Sequence, residues 1–268
     1  MGNYAFNTCS SIESVVIPST LESIGSEAFS YCTSLKNLTI REGVNSIGDY
    51  SFYACSALES VVLPSTIEMI DYSAFSYCSA LKNVTLNEGL TYIGSSAFYG
   101  TAIESIVIPS TLTEIYYGLF TNCANLKSVT LKEGLVDIYD GSFQGCTSLK
   151  EILIPSTVTN IGSNVFNNNM IIHGYTNSYA QTYVDYHYYN SNLTHTFVEI
   201  ERMMGDVNGD GTVNVTDVTE LQKYLAGMTT LTQKQLASSN VTDVEYYNKI
   251  DIKDASYIAK ALAGFCEL

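Results

Sequence analysis

Apolar positions recur along most of the chain with a period of 23 residues. Phenylalanine marks this period most clearly, at positions 6, 29, 52, 75, 98, 120, 143 and 166. Every step is 23 residues long except a single step of 22 between Phe98 and Phe120. A fixed period in this range indicates a solenoid, in which one supersecondary unit stacks on the next.

Each repeat carries its parts in the same order, as residues 35–57 illustrate. The order is a short strand with inward-facing Leu35, Leu38 and Ile40, a turn, the pair Val44 and Ile47, and a small-residue segment with Phe52 and Cys55. Because every coil places these side chains at the same depth, we expect phenylalanine and cysteine ladders inside the core.

Cysteine follows six of the phenylalanines at a distance of three residues, at positions 9, 32, 55, 78, 123 and 146. The 22-residue repeat, FYGTAIES, has no cysteine, and we expect its deletion to have removed that position. Regularly spaced cysteines in a solenoid core are typical of small buried hydrophobes. We therefore predict that all seven cysteines are free.

Successive repeats also alternate in sequence, so that the full repeating unit is about 46 residues, twice the 23-residue period. The residue after each strand-opening apolar residue nearly alternates in charge: Glu13, Lys36, Glu59, Lys82, Glu104, Lys127 and Lys150. The turns alternate as well, with Pro-Ser-Thr at 18–20, 64–66, 109–111 and 155–157, and Glu-Gly at 42–43, 88–89 and 133–134. Two interpretations are open: the charges set the register of near-identical coils, or they form a charged binding strip on the sheet.

The Phe/Cys spacing and the L-x-x-L-x-L strands of residues 3–200 resemble the BspA-type leucine-rich repeats of bacterial surface and secreted proteins. The resemblance implies an α/β repeat solenoid over residues 1–200, right-handed and built on parallel β-strands. It also implies binding to a protein or a surface, and it carries no catalytic residues. The chain departs from the common leucine-rich pattern because it lacks the asparagine after the strand.

Residues 170–200 look like the closing unit of that family, with a strand, a short helix near 178–185 and a final strand near 196–200. Such a cap is needed because the open end of a solenoid exposes its core and a strand edge. The cap holds His173, His187 and His195, in no spacing typical of a metal site or a catalytic set. The cluster Tyr-His-Tyr-Tyr at 186–189 either stacks on a sugar or packs the cap against its neighbour.

The net charge of −15 argues against one class of partner. Without a basic patch to neutralise phosphates, nucleic acid is not an expected partner. No stretch approaches the roughly 20 apolar residues of a membrane helix, so we expect no membrane insertion. The chain opens inside a repeat, and we interpret Met1-Gly2 as an added start that replaces an export signal and further repeats.

A different pattern, GDVNGDGTVNVTDVTELQKYLAG, occupies residues 205–227. Oxygen ligands stand at positions 1, 3, 5, 7, 9 and 12 of an EF-hand-type loop, as Asp206, Asn208, Asp210, the carbonyl of Thr212, Asn214 and Asp217. Gly211 at position 6 allows the sharp turn, and Asp217 replaces the usual bidentate glutamate. This spacing predicts a calcium site.

Apolar residues at helical spacing follow the loop, namely Val218, Leu221, Tyr224 and Leu225. The segment DVTELQKYLAG at 217–227 recurs as DASYIAKALAG at 254–264. Two calcium-loop-plus-helix units of this kind resemble the dockerin module of cellulosome components. The resemblance implies a small all-α domain at 201–268 with two F-hand units and two calcium ions. It also implies a cohesin module of a scaffoldin as partner, in an extracellular or cell-surface assembly.

The second loop departs from the family pattern. Counting back from Asp254 at position 12 gives Asp251 at 9 and the carbonyl of Lys249 at 7, with Tyr247, which cannot ligate, at 5. The alternative register starts the loop at Asn240 and requires an insertion of three residues. The expected ligands of this second site are Asn240, Asp243, Lys249, Asp251 and Asp254.

The dockerin resemblance also implies the cohesin contacts, which come from loop positions 10 and 11 and the exposed helix face. Carried over, these are Val215, Thr216, Gln222 and Lys223 in the first unit and Ile252, Lys253 and Lys260 in the second. Near-identical pairs in the two units would allow binding in two orientations. Because Val-Thr and Ile-Lys are unlike, we predict a single orientation.

These patterns predict a non-enzymatic, cellulosome-associated protein. Its repeats would recognise an unidentified protein or polysaccharide, and its dockerin would attach them to a scaffoldin. One alternative is an enzyme whose catalytic module precedes residue 1. Another is that the repeats act only as a structural spacer.

Overall fold

The computed structural model describes residues 1–167, 169–190, 194–200 and 215–226, together with residue 259. The chain divides into two compact units, Met1–Glu199 and Ile200–Leu268. The first unit is a parallel β-solenoid of stacked coils closed by a cap. The second unit contributes one described helix of 11 residues.

Each coil contributes a strand of three or four residues and a strand of two residues. In chain order these are β1 (Ser14–Ile17), β2 (Ser23–Ile24), β3 (Asn37–Ile40), β4 (Ser46–Ile47), β5 (Ser60–Val62), β6 (Met69–Ile70), β7 (Asn83–Thr85), β8 (Tyr92–Ile93), β9 (Ser105–Val107), β10 (Glu114–Ile115), β11 (Ser128–Thr130), β12 (Asp137–Ile138), β13 (Glu151–Leu153) and β14 (Asn160–Ile161). The longer, odd-numbered strands form the front sheet and the even-numbered strands form a second sheet. All of their pairings are parallel, which confirms the predicted parallel solenoid.

The longer strands alternate between core and solvent, as their sequence predicts. In β3, Leu38 and Ile40 are buried whereas Asn37 and Thr39 are exposed. The second sheet is not evident from the sequence, because a strand of two residues is too short to show a period of two. Its inward residue is an isoleucine in every coil, such as Ile47 in β4.

The segment around each phenylalanine is neither helix nor strand. From the coil of Phe6 to that of Phe143, the residues two before and two after the phenylalanine have φ between 52° and 79°. Alternate N–H groups therefore point to the next coil, and those of Glu27, Phe29 and Tyr31 donate to its carbonyls at 2.7–2.8 Å. A left-handed backbone costs about 1–2 kcal/mol per non-glycine residue. These hydrogen bonds form a third ladder between coils, in addition to the ladders of the two sheets, and they offset this cost.

The phenylalanines form one continuous column in the core. Neighbouring rings from Phe6 to Phe166 lie 5.1–5.7 Å apart between centroids, with interplanar angles of 2–12°. The six rings from Phe29 to Phe143 are at most 1% exposed. The predicted phenylalanine ladder is confirmed, and it gives each coil an apolar contact with both neighbours.

The cysteines form a second ladder beside the phenylalanine column. Cys32, Cys55, Cys78, Cys123 and Cys146 are buried, and each thiol donates to the carbonyl of a phenylalanine in the preceding coil at 3.1–3.2 Å. The cysteines are therefore donors that satisfy a core carbonyl as well as small buried groups. The six cysteines within the described residues are all free, as predicted. Cys266 lies outside the described residues.

Native thiol labelling tests this arrangement. Burial raises the pKa of the Cys32 and Cys123 thiols to about 11 and that of Cys78 well above its usual value. We expect iodoacetamide at pH 8 to leave the five buried cysteines unmodified in the native protein, because a protonated, buried thiol is unreactive. After denaturation without reductant, mass spectrometry should find all seven modified. Any cysteine that reacts only after reduction would contradict the absence of disulfides.

The 22-residue coil differs from the sequence-based expectation. Thr101 occupies the cysteine position, since its N–H donates to the carbonyl of Phe98 as the cysteine N–H does in the other coils. Its hydroxyl donates to the same carbonyl at 3.0 Å and lies 3.2 Å from Cys123 Sγ. The expectation that the deletion removed this position is therefore wrong. The missing residue belongs to the turn that follows, where one residue instead of two precedes the buried Ile103.

Both sheets are interrupted at this short coil. The front sheet pairs β1-β3-β5-β7 and then β9-β11, and the second sheet pairs β2-β4-β6-β8 and then β10-β12-β14. Across the break, the third ladder continues, because the N–H groups of Ser96, Phe98 and Gly100 donate to the next coil at 2.8–3.1 Å. The phenylalanine column also crosses it. The segment around each phenylalanine thus holds the two halves of the solenoid together where strand pairing stops.

Contacts between turns account for the 46-residue period. The glutamate of each Glu-Gly turn accepts hydrogen bonds from the N–H and hydroxyl of the serine in the next Pro-Ser-Thr turn, in the pairs Glu42–Ser65, Glu88–Ser110 and Glu133–Ser156 at 2.8–3.2 Å. The hydrogen bond from the Ser65 N–H has the largest effect on the pKa of Glu42 and lowers it below its usual value. The hydrogen bond from the Ser65 hydroxyl has the next largest effect, in the same direction. A glutamate turn and a serine turn must therefore alternate for this contact to form.

A cap closes the C-terminal end of the solenoid, as predicted. It consists of strand β15 (Ile171–Gly174), helix α1 (Tyr179–Asn190) and strand β16 (Thr196–Glu199). Strands β13, β15 and β16 pair in parallel and form a three-stranded sheet of their own. Tyr183 of α1 lies edge-on to Phe166, with ring centroids 5.9 Å apart, and so covers the last ring of the column.

Candidate functional site

The described helix of the second unit, α2 (Val215–Leu225), has one buried and one exposed face. Asp217, Val218 and Leu221 are buried. The four residues predicted to contact a cohesin in this unit are all exposed: Val215, Thr216, Gln222 and Lys223. Their spacing places them along one side of the helix, since residues seven positions apart, such as Val215 and Gln222, are separated by about two turns of 3.6 residues. The structure therefore brings these four predicted residues together on an open surface.

Asp217 stands at the N-terminal end of α2 and is fully buried. A buried carboxylate must be compensated by donors or a cation, and a helix N-terminus favours negative charge. Asp217 is position 12 of the predicted loop, and the other predicted members of that loop lie outside the described residues. A buried carboxylate among ligands that are all hard oxygens fits calcium, which prefers oxygen ligands.

The remaining predicted ligands and contacts lie outside the described residues. These are Asp206, Asn208, Asp210, Thr212, Asn214, Asn240, Asp243, Lys249, Asp251 and Asp254 for calcium, and Ile252, Lys253 and Lys260 for the cohesin. Within the described part of the chain, histidine, cysteine and acidic side chains form no metal-binding group of three or more.

The exposed side of the front sheet carries aligned stripes of side chains. Next to the charged stripe lies a stripe of serine and asparagine (Ser14, Asn37, Ser60, Asn83, Ser105, Ser128), and then a stripe of valine and threonine (Val16, Thr39, Val62, Thr85, Val107, Thr130). Of the charged stripe, only Lys127 and Glu104 form an ion pair within residues 1–167, at 3.0 Å. Lys127 lowers the pKa of Glu104. The other charges of the stripe are exposed, so both interpretations of it stay open.

The histidines of the cap have structural surroundings. His187 and His195 are buried, and the Tyr183 ring lies 4.4 Å from the His187 ring and 5.6 Å from the His195 ring. Burial lowers the pKa of both, that of His195 to about 4 with a smaller effect of His187. His173 Nε2 lies 3.2 Å from Glu151 Oε2 at the surface. Of the two interpretations of the cluster at 186–189, packing of the cap accounts for His187. It does not account for Tyr186, which is 58% exposed.

The repeats also bring together tyrosines whose position relative to phenylalanine alternates from coil to coil. Tyr31 and Tyr77 lie two residues after a phenylalanine, whereas Tyr53 and Tyr99 lie one residue after it. In the fold, these four rings contact one another in succession across four coils, and two more rings join them. We call the six residues the tyrosine surface: Tyr31, Tyr50, Tyr53, Tyr72, Tyr77 and Tyr99.

The parallel coils, their inward leucine and phenylalanine ladders and the cap define a leucine-rich repeat solenoid. The family model for the BspA type leucine rich repeat region matches residues 1–127 and 113–204 with six copies. The chain therefore belongs to the BspA-type leucine-rich repeat family. A model of the dockerin type I domain matches residues 204–263, so the chain also carries a dockerin.

Solved structures include similar repeat proteins. The chain is 31% identical to a leucine rich repeat protein of T. pallidum, over 56% of this chain and 70% of that one, with a TM-score of 0.53. It is 24% identical to a leucine rich cell surface protein of Faecalibacterium prausnitzii A2-165, over 68% of this chain and 64% of that one, with a TM-score of 0.41. A leucine-rich repeat protein of Bacteroides ovatus ATCC 8483 is 23% identical, over 70% and 66%, with a TM-score of 0.43. No curated protein matches the chain.

The dockerin implies cohesin binding of the cellulosome type, and type I dockerins bind calcium. Dockerin and BspA-type repeats together suggest an extracellular or cell-surface protein. No helix among the described residues has the length and apolar character needed to cross a membrane. The family matches include no catalytic domain.

Proposed function

We propose that this protein is a non-catalytic binding protein that its dockerin attaches to a scaffoldin outside the cell. Residues 201–268 bind the cohesin, and residues 1–200 are the ligand-binding part that is thereby displayed. Helix α2 carries the proposal, because it exposes the predicted cohesin contacts on one face and buries Asp217 on the other.

The proposal includes two calcium ions, one in each loop of the dockerin. The first is held by the set that ends at Asp217, and the second by the set that ends at Asp254. A domain of this size has a thin core, so ion binding supplies much of its folding free energy. Cohesin recognition should then require calcium even though no cohesin contact is itself a ligand.

A binding role, not catalysis, is supported by the surroundings of the reactive side chains in the repeats. The thiol of Cys78 donates to a core carbonyl and is fully buried, so it is no accessible nucleophile. His187 and His195 pack against Tyr183 inside the cap. In contrast, the outer surface offers long, regular arrays of exposed side chains, which suit a repetitive or extended ligand.

The single orientation of the dockerin on its cohesin is tested by changing one unit at a time. We expect one of the double variants Val215→Asp/Thr216→Asp and Ile252→Asp/Lys253→Asp to lose cohesin binding by itself, while the other retains it. Aspartate in the first turn of α2 is compatible with the helix because it favours the positive end of the helix dipole. Isothermal titration with one cohesin gives both affinities.

Two results would contradict this assignment. If each double variant keeps full affinity and only the combined variant loses it, the two faces are interchangeable. If the combined variant also binds normally, the cohesin contacts lie elsewhere. Calcium affinity, measured on the same samples, controls for loss of the fold.

A further inference from the structure

The tyrosine surface is a continuous array of rings outside the core. Successive ring centroids are 5.0–5.5 Å apart, from Tyr31 through Tyr53 and Tyr77 to Tyr99. Tyr50 contacts Tyr53, and Tyr72 contacts Tyr50, at distances in the same range. The array spans four coils and lies over the segments that carry the phenylalanine column. Its rings pack on one another and not into the interior.

These rings remain accessible to a ligand. Tyr31, Tyr72 and Tyr77 are 49%, 44% and 47% exposed, and the other three are half-buried. Tyr31, Tyr50 and Tyr77 also have left-handed backbones, with φ of 59°, 53° and 59°. Glycine adopts this conformation more readily and occupies the position two residues after phenylalanine in two other coils. The tyrosines are therefore not required by the backbone.

The charge around the array restricts the ligand. No lysine or arginine occurs in the segments that carry it, residues 25–34, 48–57, 71–80 and 94–102. Of the three carboxylates in these segments, Glu27 accepts from Asn7 Nδ2 at 3.2 Å, Asp49 accepts from the Tyr72 N–H at 3.0 Å, and Asp71 is half-buried. An anionic polymer would find no positive partner here, and a cationic one would find few free carboxylates. The surface suits an uncharged ligand.

The other exposed groups of the array are polar. The exposed large hydrophobic residues in its four segments are all tyrosines, whereas exposed aliphatic side chains such as Val62 and Val107 lie on the front sheet. The array therefore offers ring faces and hydroxyl groups, without exposed large aliphatic side chains between them. The hydroxyl of Tyr99 accepts a hydrogen bond from Asn122 Nδ2 at 2.7 Å, so the ring edges present hydrogen-bonding groups.

We propose that the tyrosine surface binds a neutral, linear polysaccharide that lies along the solenoid axis. Tyrosine offers an apolar ring for the C–H faces of sugars and a hydroxyl for their oxygens. The rings recur at the spacing of stacked coils, about 4.8 Å, so the site is repetitive and open, as a polymer of repeating units requires. The inference rests on the proposed binding role of the repeats and not on the dockerin.

The test uses the full chain in native gels containing a soluble neutral polysaccharide, with hydroxyethylcellulose and arabinoxylan as neutral probes and polygalacturonate as the anionic one. The wild type should be retarded by at least one neutral probe and not by polygalacturonate. The variant Tyr31→Asn/Tyr77→Asn should lose that retardation, with an apparent affinity at least about tenfold weaker. Asparagine preserves the backbone, because Asn122 occupies the equivalent position with φ of 61°.

Tyr186→Ala is the matched control, since Tyr186 is a more exposed tyrosine than those of the array but belongs to the cap. Retardation of this variant should equal that of the wild type. Loss in Tyr186→Ala with retention in Tyr31→Asn/Tyr77→Asn would overturn the proposal in favour of the cap. No retardation by either neutral probe, or retardation by polygalacturonate alone, would also overturn it. Cohesin binding, measured on the same samples, separates a failure of this site from a failure of the dockerin assignment.

Discussion

Replacing Phe75 by alanine should lower the free energy of unfolding of the repeat unit by about 3–5 kcal/mol. Phe75 is fully buried between Phe52 and Phe98, whose ring centroids lie 5.3 and 5.7 Å away. The substitution removes both ring contacts and leaves a cavity that neighbouring coils cannot fill, because their backbones are fixed by three ladders of hydrogen bonds. It therefore combines the loss of apolar burial with the cost of an unfilled space.

Phe6→Ala is the matched control, with the same residue type at the same position of the repeat. Phe6 is 42% exposed and contacts one ring, Phe29, at 5.1 Å. Its loss should cost only about 1 kcal/mol, the value of one aromatic pair. Urea unfolding followed by far-ultraviolet circular dichroism, in the presence of chelator, reports on the repeats. Equal destabilisation by the two substitutions would show that the column is not the main source of core stability.

Replacing Asp217 by alanine should remove both calcium affinity in the first loop and binding to the cohesin. The carboxylate is fully buried in the first turn of α2, so its loss leaves the predicted ion without the ligand that joins the loop to the helix. Since ion binding and folding are linked, a missing ligand destabilises the surface that the helix presents. We expect at least about a tenfold loss of calcium affinity, by analogy with other disrupted metal sites.

Calorimetric titrations with calcium and with a cohesin measure the two effects. Asp217→Asn keeps the size of the side chain and removes its charge, so it should resemble alanine if the charge matters most. Thr219→Ala is the control for calcium, because the Thr219 hydroxyl only donates to the Val215 carbonyl of its own helix. If Asp217→Ala binds calcium as tightly as the wild type, Asp217 is not a ligand.

Much of the repeat fold could be predicted because its signals are periodic. One phenylalanine per 23 residues specifies both the coil length and the stacked column, and the alternation in segments such as NLTI specifies which strand face is inward. The second sheet escaped prediction because its strands have two residues each. The third ladder could not be predicted because its left-handed residues include tyrosine, glutamate and alanine. Unlike glycine, these residue types do not indicate a left-handed backbone.

The surface of the repeats was harder to predict than the core. The tyrosines alternate between one and two residues after phenylalanine. The 46-residue period therefore groups them only as two separate pairs, Tyr31 with Tyr77 and Tyr53 with Tyr99, although the fold places all four rings in contact. The serine and glutamate turns were visible as an alternation, but only the structure gives its cause, the hydrogen bonds of Glu42 to Ser65. In the short coil, Thr101 takes the cysteine position, but its hydroxyl donates to the carbonyl of Phe98 in its own coil, whereas each buried thiol donates to the phenylalanine carbonyl of the preceding coil.

The dockerin was predicted from ligand spacing, which is a local property of the sequence. The structure adds the orientation of α2, with Val215 70% exposed and Leu221 buried. The register of the second loop is still a prediction, because residues 240–254 lie outside the described part of the chain. The choice between the two registers depends on which oxygens converge, and the spacing alone is compatible with both.

The most direct test of the central claim is binding of the full chain to a panel of cohesins, with calcium and with chelator, on samples whose circular dichroism is recorded in parallel. We expect one-to-one binding to at least one cohesin in calcium, and complete loss of that binding in chelator while the β-sheet signal of the repeats persists. Binding that is unaffected by chelator, or no binding to any cohesin in calcium, would contradict the claim that the dockerin displays these repeats on a scaffoldin.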